Sequence, residues 1–445
     1  MAKGLVVLLT NIWLETRAGS ETVIRDLAIG LLRRGHRPVV YSPKIGEAAR
    51  DIAARGVPVI DDLRQMGEAP DLIHAHHSIP CGEALIRFPR VPALYTCNAF
   101  DFWMEAPVHF PQIAVYAAAD EACRDRLVHT EGIDPERVVM LRNAVDISRI
   151  PARRAALPER PLRAAAFGKA ALVPDIARAC RQAGLEYVML GWPAAAPLAC
   201  PEQELVNHDL VFASARAATE ALCCGCAVIV CDRRGFAGLA TTQNFHALRA
   251  RNFGLRSLGE PLTSQRILDE ISRYDATDAA AVSQLAREAA DLEKHLDHIE
   301  SLYAEILTGP RQVVISSEAH ERAVARFLHE NLPRTPNDPR WPWLSARDDM
   351  EGQIAELSKH WATMDQERIA LRLEASAQAD RVAKLEVQLA NVRQELEIAK
   401  QDRERSSGAY QDIAQQLAAL NRSRLLRLGR WLRGLATRSS TRAVR

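Results

Sequence analysis

The sequence predicts an α/β protein with two doubly wound domains followed by a long C-terminal helix. Short apolar runs alternate with helical patterns from Gly4 to about Ile150, as in domains whose parallel strands are connected by helices. The same alternation resumes near Leu162 and continues to about Leu307. From Ile354 onward, apolar residues recur at steps of three and four, which is the spacing of a coiled coil.

The composition excludes several classes of protein. Of 445 residues, 48% are hydrophobic and 25% are charged, so the chain can bury cores and is not expected to be disordered. The net charge of +1 gives no overall attraction to nucleic acid. No apolar run reaches the roughly 18 residues of a membrane span, and the first apolar run is too short for a signal peptide. The nine cysteines, an odd number, favour a reducing compartment, so we expect a cytoplasmic protein.

The first domain is predicted over residues 1–150. It opens with a strand at residues 4–10, and a helix follows from about Ser20 to Arg34, where basic residues and Gly35 form a typical helix end. Further strands are expected at RPVVYS, VPVI, DLIHAH and ALYTC. The stretch IPARRAALPERP then marks a boundary, because its prolines resist both helix and central strand.

The second domain is predicted over residues 160–310. Its strands are expected at LRAAAFG, YVMLGW, LVFASA and AVIVCD, with helices between them. A Pro-rich connector at residues 311–345 follows this domain. Cys223, Cys224 and Cys226 form a C-x-x-C cluster without a second pair at zinc spacing, so we interpret these thiols as small core residues.

A coiled coil is predicted over residues 346–421. Ten heptads run in one register, with Ile354 and Leu357 as the first a and d residues. Pairs such as Glu367 with Arg372 place opposite charges at g and the following e, which favours a parallel homodimer. The alternative is one long helix folded onto the domains, which would show a wider apolar face.

The tail at residues 422–445 is predicted to be a basic amphipathic helix. It holds eight arginines and no acidic residue, whereas the rest of the chain has more acidic than basic residues. Leu425, Trp431 and Leu432 share one helical face, a pattern typical of a helix lying at an anionic membrane surface. An acidic protein surface, nucleic acid and a solvated helix end are the alternatives, with nucleic acid disfavoured because the tail has one aromatic residue.

Three segments hold candidate functional residues. Gly19 and Ser20 begin the first helix, where amide groups could meet a phosphate or a sugar hydroxyl, although Ser20 is also an ordinary helix cap. In DLIHAHH, strand alternation sends His74 and His76 to one side and His77 to the other. A metal site there would need a third ligand, and none is evident.

The third segment runs from residue 207 to residue 232. Glu220 lies on a helix four residues after Arg216, so the carboxylate is suited to ribose hydroxyls and the guanidinium to a pyrophosphate, with Gly225 in the turn that follows. The alternative is that Arg216 and Glu220 form an exposed helix pair worth a few tenths of a kcal/mol.

Together these segments resemble a retaining GT-B glycosyltransferase of family 4. AGSETVIRDLAIGLLRRGHRPVVYSP resembles the glycine-rich loop and first helix of the family, and EGIDPERVVMLRNAVD the last strand of its first domain. EALCCGCAVIVCD is similar to its donor-domain motif. The resemblance covers residues 4–310 and implies two Rossmann-like domains, with a nucleotide-sugar donor in the cleft between them.

The resemblance assigns roles to several residues. It implies that Glu220 holds the donor ribose and that Gly168 and Lys169 replace the Gly-Arg pair that opens the donor domain. The first glutamate of the family motif falls at Phe212, and Asn98 stands where a histidine commonly occurs. In a narrower group that this chain resembles, VFA is followed by Lys-Gly-Arg. Here Ser214, Ala215 and Arg216 occupy these three positions, so only the arginine is retained.

The expected function is transfer of a sugar from a nucleotide-sugar to a glycan, lipid-linked or protein acceptor. Arg216 and Glu220 are the candidate catalytic residues, His77 and Asn98 are cleft candidates, and no metal or other cofactor is expected. A pseudoenzyme that serves as a coiled-coil scaffold is one alternative. A nucleotide-sugar epimerase is another, but no acidic residues for proton transfer are evident.

Overall fold

The computed structural model describes residues 4–17, 19–151, 156–191, 198 and 200–332, together with residues 374, 378, 381–382, 384–394 and 431. The chain divides into two compact units, and the boundary between them in the sequence falls between Leu332 and Pro333. The first unit contains both sheets.

The first sheet has seven strands in the order β3-β2-β1-β4-β5-β6-β7, and every pair is parallel. The strands are β1 Val6–Thr10, β2 Arg37–Tyr41, β3 Val59–Ile60, β4 Leu72–His76, β5 Ala93–Cys97, β6 Ile113–Ala118 and β7 Val138–Met140. Their helices are α1 Gly19–Arg33, α2 Glu47–Ala54, α3 Ser78–Arg87 and α4 Glu121–Asp125. One core packs α1 and α2 on one face of the sheet, and a second core packs α3 on the other. The predicted doubly wound class is confirmed.

The second sheet has five strands in the order β12-β11-β10-β8-β9, of which only the β11–β12 pair is antiparallel. The strands are β8 Arg163–Phe167, β9 Glu186–Leu190, β10 Leu210–Ala213, β11 Ala227–Asp232 and β12 Gly235–Leu239. The helices are α5 Pro174–Gln182, α6 Pro201–Leu205, α7 Ala215–Cys223, α8 Phe245–Ala250, α9 Ser264–Ser272 and α10 Ala276–Ala289. The sheet is buried between two apolar cores.

Two later helices, α11 Leu292–Leu307 and α12 Ser317–Asn331, return to the first sheet. Leu296 of α11 packs on α1 at Gly30, where a Cβ would lie 2.5 Å from Leu296 Cδ1. Phe327 of α12 covers Gly82 of α3 in the same way. The boundary predicted at residue 310 therefore needs correction, because the apolar face of α11 completes the first core.

All nine cysteines are free thiols, and eight of them are buried. Cys223 and Cys224 lie in the core of the second sheet. Burial raises the pKa of Cys223 to about 12, so this thiol is protonated at neutral pH. The interpretation of these cysteines as core residues agrees with the structure.

The predicted coiled coil and basic tail lie largely outside the described residues. Residues 384–394 are helical. Val382, Leu385, Leu389 and Val392, at successive predicted a and d positions, have intermediate exposure, whereas Val387 is 61% exposed. The dimer and the membrane contact remain predictions. No helix in the described part of the chain has the length and apolar character needed to cross a membrane.

Candidate active site

The ends of β8 and β10 bring the first candidate residues together, because these strands are parallel neighbours. Gly168 follows β8 with a φ of +64°, and a Cβ there would lie 3.2 Å from Ala217 Cβ in the first turn of α7. Lys169 is exposed beside it. The predicted Gly-Lys pair therefore lies at the N-terminus of α7, where free amide groups favour anions.

The start of α7 is held in a strained conformation. Ala215 has a φ of +50°, and its amide donates a 2.8 Å hydrogen bond to the carbonyl of Phe253. Asn252 and Phe253 also have positive φ angles, of +53° and +51°. Such angles cost an L-residue free energy and persist only where the surroundings impose them. The contact with residues 252–253 fixes the direction in which α7 begins.

Arg216 connects the two sheets through a buried ion pair. Its Nη2 donates to Asp26 Oδ2 of α1 at 2.6 Å, and its Nε donates to Glu220 Oε1 at 3.0 Å. Its Nη1 donates to the carbonyl of Ala144 at 2.9 Å. All three residues are less than a tenth exposed. The alternative of an exposed Arg216–Glu220 helix pair is therefore wrong.

Two more arginines complete this group, which we call the interdomain cluster: Arg25, Asp26, Arg149, Arg216 and Glu220. Arg25 Nη2 lies 2.9 Å from Asp26 Oδ1, and Arg149 Nη2 lies 3.4 Å from Asp26 Oδ2. Burial alone would raise the pKa of Asp26, but Arg216, Arg25 and Arg149 together lower it. Burial raises the pKa of Glu220, and Arg216 opposes that shift. The cluster thus holds Asp26 as a carboxylate.

The histidines of β4 divide as strand alternation predicts. The rings of His74 and His76 stack with centroids 5.3 Å apart. Both nitrogens of His74 are hydrogen-bonded, to the Tyr303 hydroxyl at 2.7 Å and to Thr96 Oγ1 at 2.9 Å. Burial lowers the pKa of His74 to about 3 and that of His76 well below its usual value. Both rings are therefore neutral.

His76 meets Asn98, one of the predicted cleft residues. The Asn98 side-chain amide lies 2.8 Å from His76 Nδ1, and as the donor it leaves the proton of His76 on Nε2. His76 Nε2 is buried and has no hydrogen-bond partner in the structure. A polar atom in this state is suited to a ligand hydroxyl.

One small cavity joins these groups to the interdomain cluster. Its volume is about 30 Å³, enough for a water-sized group. The polar side chains that line it come from both sheets: Asp26, His74, His76, Thr96, Asn98, Arg142, Asn143, Arg216 and His295. The sequence motifs indicated Arg216 and Asn98, and His76 only as a possible metal ligand, but they did not indicate Asp26.

His77 lies on the other side of β4, away from this cavity. Its Nε2 is 3.5 Å from Glu105 Oε1, and Glu105 Oε2 accepts a hydrogen bond from the backbone amide of Asn98 at 2.8 Å. Burial lowers the pKa of His77 to about 4 and raises that of Glu105 to about 8. At neutral pH this is a pair of uncharged groups rather than a salt bridge, and it positions the loop that carries Asn98.

A second polar contact between the domains lies at the end of β11. Asp232 accepts hydrogen bonds from Ser214 Oγ at 2.7 Å and from Arg234 Nη2 at 2.8 Å. Arg234 Nη1 also lies 3.6 Å from Asp101 Oδ2, on the loop after β5. These residues were not predicted, although the AVIVCD strand and the arginines after it mark the position.

The remaining predicted site residues do not line the small cavity. Gly19 is exposed at the start of α1, and Ser20 Oγ donates to Glu21 Oε2 at 2.8 Å. Gly225, with a φ of +82°, lies beyond the far end of α7, so it acts as a turn residue and does not face the cleft. Phe212 is fully buried in the core of the second sheet and cannot replace a sugar-binding glutamate.

Comparisons with known proteins agree with this architecture. The family model of Glycosyltransferase Family 4 matches residues 17–149. The solved structure of Anabaena Alr3699/HepE in complex with UDP and glucose is similar at 15% identity and a TM-score of 0.50, over 67% of this chain and 99% of that chain. The chain has a GT-B fold, and the match to Glycosyltransferase Family 4 covers most of its first domain.

Two further solved structures are similar to this chain. A glycosyltransferase from Rickettsia africae ESF-5 has 12% identity and a TM-score of 0.49, over 68% of this chain and 99% of that chain. A putative UDP-N-acetylglucosamine 2-epimerase from Listeria monocytogenes has 12% identity and a TM-score of 0.46, over 70% of this chain and 100% of that chain. A comparison with curated proteins found no significant match.

The described residues contain no group of three or more His, Cys, Asp or Glu side chains placed to hold a metal ion. The stacked His74 and His76 do not form such a group, since His74 uses both nitrogens within the fold.

Replacing Ala215 with glycine should stabilise the folded protein. The left-handed conformation costs an L-residue about 1–2 kcal/mol, whereas glycine loses only about 0.5–1 kcal/mol more in chain entropy. We expect Ala215→Gly to raise the free energy of unfolding by about 0.5–1 kcal/mol in urea titrations. Ala217→Gly, in the same helix without a positive φ, should lower it by about 1 kcal/mol. Equal losses in both variants would contradict the strain at Ala215.

Glu105 should make stability fall as the pH rises. Its folded pKa of about 8 lies above the ordinary value of 4.5, so the folded protein retains a proton that the unfolded chain releases between these values. We expect Glu105→Gln to remove a decline of at least about 1 kcal/mol in this window. The free energy of unfolding measured between pH 5 and pH 8.5 tests this. Parallel pH curves for both proteins would rule out a buried, protonated Glu105.

Proposed function

We propose that this GT-B glycosyltransferase transfers a sugar from a nucleotide-sugar donor to a glycan, lipid-linked or protein acceptor. One observation carries the proposal: Asn98 and His76 of the first sheet and Arg216 of the second line one cavity. A donor at the end of β10 would therefore place its sugar beside residues of the first domain. On this proposal, residues 1–150 bind the acceptor, and the domain predicted over 160–310 binds the donor.

The donor diphosphate would lie at the N-terminus of α7. Ser214 Oγ is occupied by Asp232 and the Ala215 amide by the carbonyl of Phe253, so the amides of the next residues of α7 would be the donors. Lys169 is exposed at the same edge. A helix N-terminus and one lysine supply positive charge where the leaving diphosphate develops negative charge.

Glu220 would hold the donor ribose, as in the family that the sequence resembles. In the structure, Glu220 Oε1 accepts from Arg216 Nε, so Oε2 would be the oxygen that accepts from the ribose hydroxyls. Arg216 is already bound to Asp26, Glu220 and Ala144. We therefore assign Arg216 to holding the domains and Glu220 in position rather than to direct contact with the pyrophosphate.

The transferred sugar would lie against Asn98 and His76. His76 Nε2 has no partner within the fold and could donate to a sugar hydroxyl, while Asn98 holds the ring through Nδ1. Asn98 occupies the Nδ1 lone pair of His76 and Nε2 carries the proton, so these groups orient the sugar and do not act as a general base.

The chemical step needs no base from the protein in a retaining reaction. The acceptor oxygen forms a bond to the anomeric carbon on the face from which the diphosphate leaves, and the anomeric carbon–phosphate oxygen bond breaks. The proton of the acceptor hydroxyl passes to the departing phosphate oxygen. Lys169 and the α7 amides would stabilise the charge on that phosphate, so we propose a metal-independent reaction.

The acceptor would approach over the loop after β5. Phe100 and Trp103 on this loop are 37% and 42% exposed, and exposed aromatic faces pack well against the apolar faces of sugar rings. A carbohydrate acceptor is thus the form that this surface supports best. The predicted parallel coiled coil and membrane-binding tail would hold a dimer at the cytoplasmic face of a membrane, where glycan or lipid-linked acceptors are made.

A second candidate function is that of a coiled-coil scaffold without catalysis. Phe212 occupies the core, and the interdomain cluster holds the Glu220 carboxylate. Binding without turnover, or no binding at all, would favour this second function.

Thermal unfolding of the full chain with UDP, GDP, ADP and dTDP sugars tests the donor site. One nucleotide series should stabilise the wild type by about 2.7 kcal/mol at a hundred times its dissociation constant. Glu220→Ala should lose this shift, whereas Glu318→Ala, which removes an exposed carboxylate of α12, should retain it. Sugar release from the stabilising donor should persist in excess EDTA. A shift of equal size in Glu220→Ala would remove Glu220 from the site.

A further inference from the structure

A second, larger cavity lies beside the segments through which the chain passes between the two sheets. Its volume is about 430 Å³, within the range of small-molecule sites. One wall is formed by residues 140–144, just after β7, and another by residues 288–298 at the junction of α10 and α11. Residues of α8 close it. We call it the hinge cavity.

Cationic and histidine side chains dominate its polar lining. The ionisable residues that line it are Arg142, His246, Arg249, Glu288, Asp291, Lys294, His295 and His298. Glu220, Gly168 and Lys169 are not among them. The hinge cavity thus lacks the residues proposed to hold the donor ribose and diphosphate, and it shares Arg142 and His295 with the small cavity.

The two guanidinium groups in the hinge cavity have neutral partners. Arg249 Nη2 donates to the carbonyls of Asn143 at 2.7 Å and Ala289 at 3.0 Å, and its Nη1 to Asn252 Oδ1 at 3.1 Å. Arg142 Nε donates to the carbonyl of Ala250 at 3.2 Å. Within the described part of the chain, neither group forms an ion pair with a carboxylate. Burial, and next the charge of Arg142, lower the pKa of Arg249 to about 10.

The two carboxylates of the cavity do not neutralise these arginines. Asp291 caps α11, where its Oδ1 accepts from the amide of Glu293 at 3.0 Å. Glu288 is exposed at the edge. Lys294 Nζ donates to the backbone carbonyl of Glu288 at 3.3 Å and not to its side chain. In the described residues, the two arginines of the hinge cavity are therefore not directly paired with either carboxylate.

We propose that the hinge cavity is a second binding site, for a small molecule that carries a phosphoryl group. Arg142, Arg249 and Lys294 come from three different segments and share one lining. A tetrahedral anion with several acceptor oxygens can meet donors from separate directions, and guanidinium groups bind phosphate with particular strength. The volume leaves room for the remainder of a small phosphorylated molecule.

The hinge cavity also lies next to the interdomain cluster. The carbonyl of Asn143 accepts from Arg249, and the carbonyl of the next residue, Ala144, accepts from Arg216. Val145 then pairs with the backbone of residues 290–292. A ligand on Arg142 and Arg249 would thus contact the same short segment that the cluster holds.

Inorganic phosphate, titrated into the full chain by calorimetry at constant ionic strength, tests the proposal. We expect saturable binding with a dissociation constant in the millimolar range or below. The double variant Lys294→Gln/His298→Gln should weaken binding about tenfold or more, since a hydrogen bond to a charged group contributes about 1.5–3 kcal/mol. Both side chains are exposed, so this variant should fold, and its melting temperature checks this.

Two controls separate the hinge cavity from other phosphate sites. Arg322→Gln removes an exposed cation of α12 and should leave the dissociation constant unchanged. Lys169→Gln, at the proposed donor site, should also leave it unchanged. The proposal is overturned if phosphate does not bind, if the Lys294→Gln/His298→Gln variant binds as the wild type does, or if Lys169→Gln abolishes binding. Failure of the donor assignment would not affect these outcomes.

Discussion

The buried ion pair between Asp26 and Arg216 is the constraint on which the site depends. Removing two charges from water is costly unless each finds close partners, and here Arg25, Arg149 and Glu220 supply them. Because Asp26 lies on α1, which packs on the first sheet, and Arg216 lies on α7, which packs on the second, the pair sets how the two halves of the cleft meet. The same guanidinium orients Glu220 and holds the carbonyl of Ala144. A bound donor must accommodate this arrangement or exchange partners with it.

Much of the fold could be predicted from the sequence. The alternation of apolar runs with helical patterns predicted most of the long strands but missed β6 Ile113–Ala118 and β12 Gly235–Leu239. The predicted first helix lies within one or two residues of α1. The assignment of α11 to the second domain was wrong, because periodicity shows which face of a helix is apolar but not which sheet covers it. Leu296 fits against Gly30, a contact between residues far apart in sequence.

The candidate site could be predicted only in part, for a related reason. Four site residues lie within short sequence motifs, which is why they could be predicted: Gly168, Lys169, Arg216 and Glu220. The structure brings them to the ends of neighbouring strands. Asp26 was missed because a charged residue in a helix is normally solvated, and its partner is 190 residues away. His77 was favoured over His76, although alternation separates them, because only the packed structure shows which side faces the second domain. The positive φ of Ala215 has no signal in one sequence.

A double-mutant cycle on Asp26 and Arg216 tests this account most directly. The free energy of unfolding would be measured for the wild type, Asp26→Ala, Arg216→Ala and the double variant. A buried, close charge pair should give a coupling energy of at least about 1.5 kcal/mol, with the double variant less destabilised than the sum of the single ones. Effects that add within about 0.5 kcal/mol would contradict the account, because independent side chains cannot hold the two domains together.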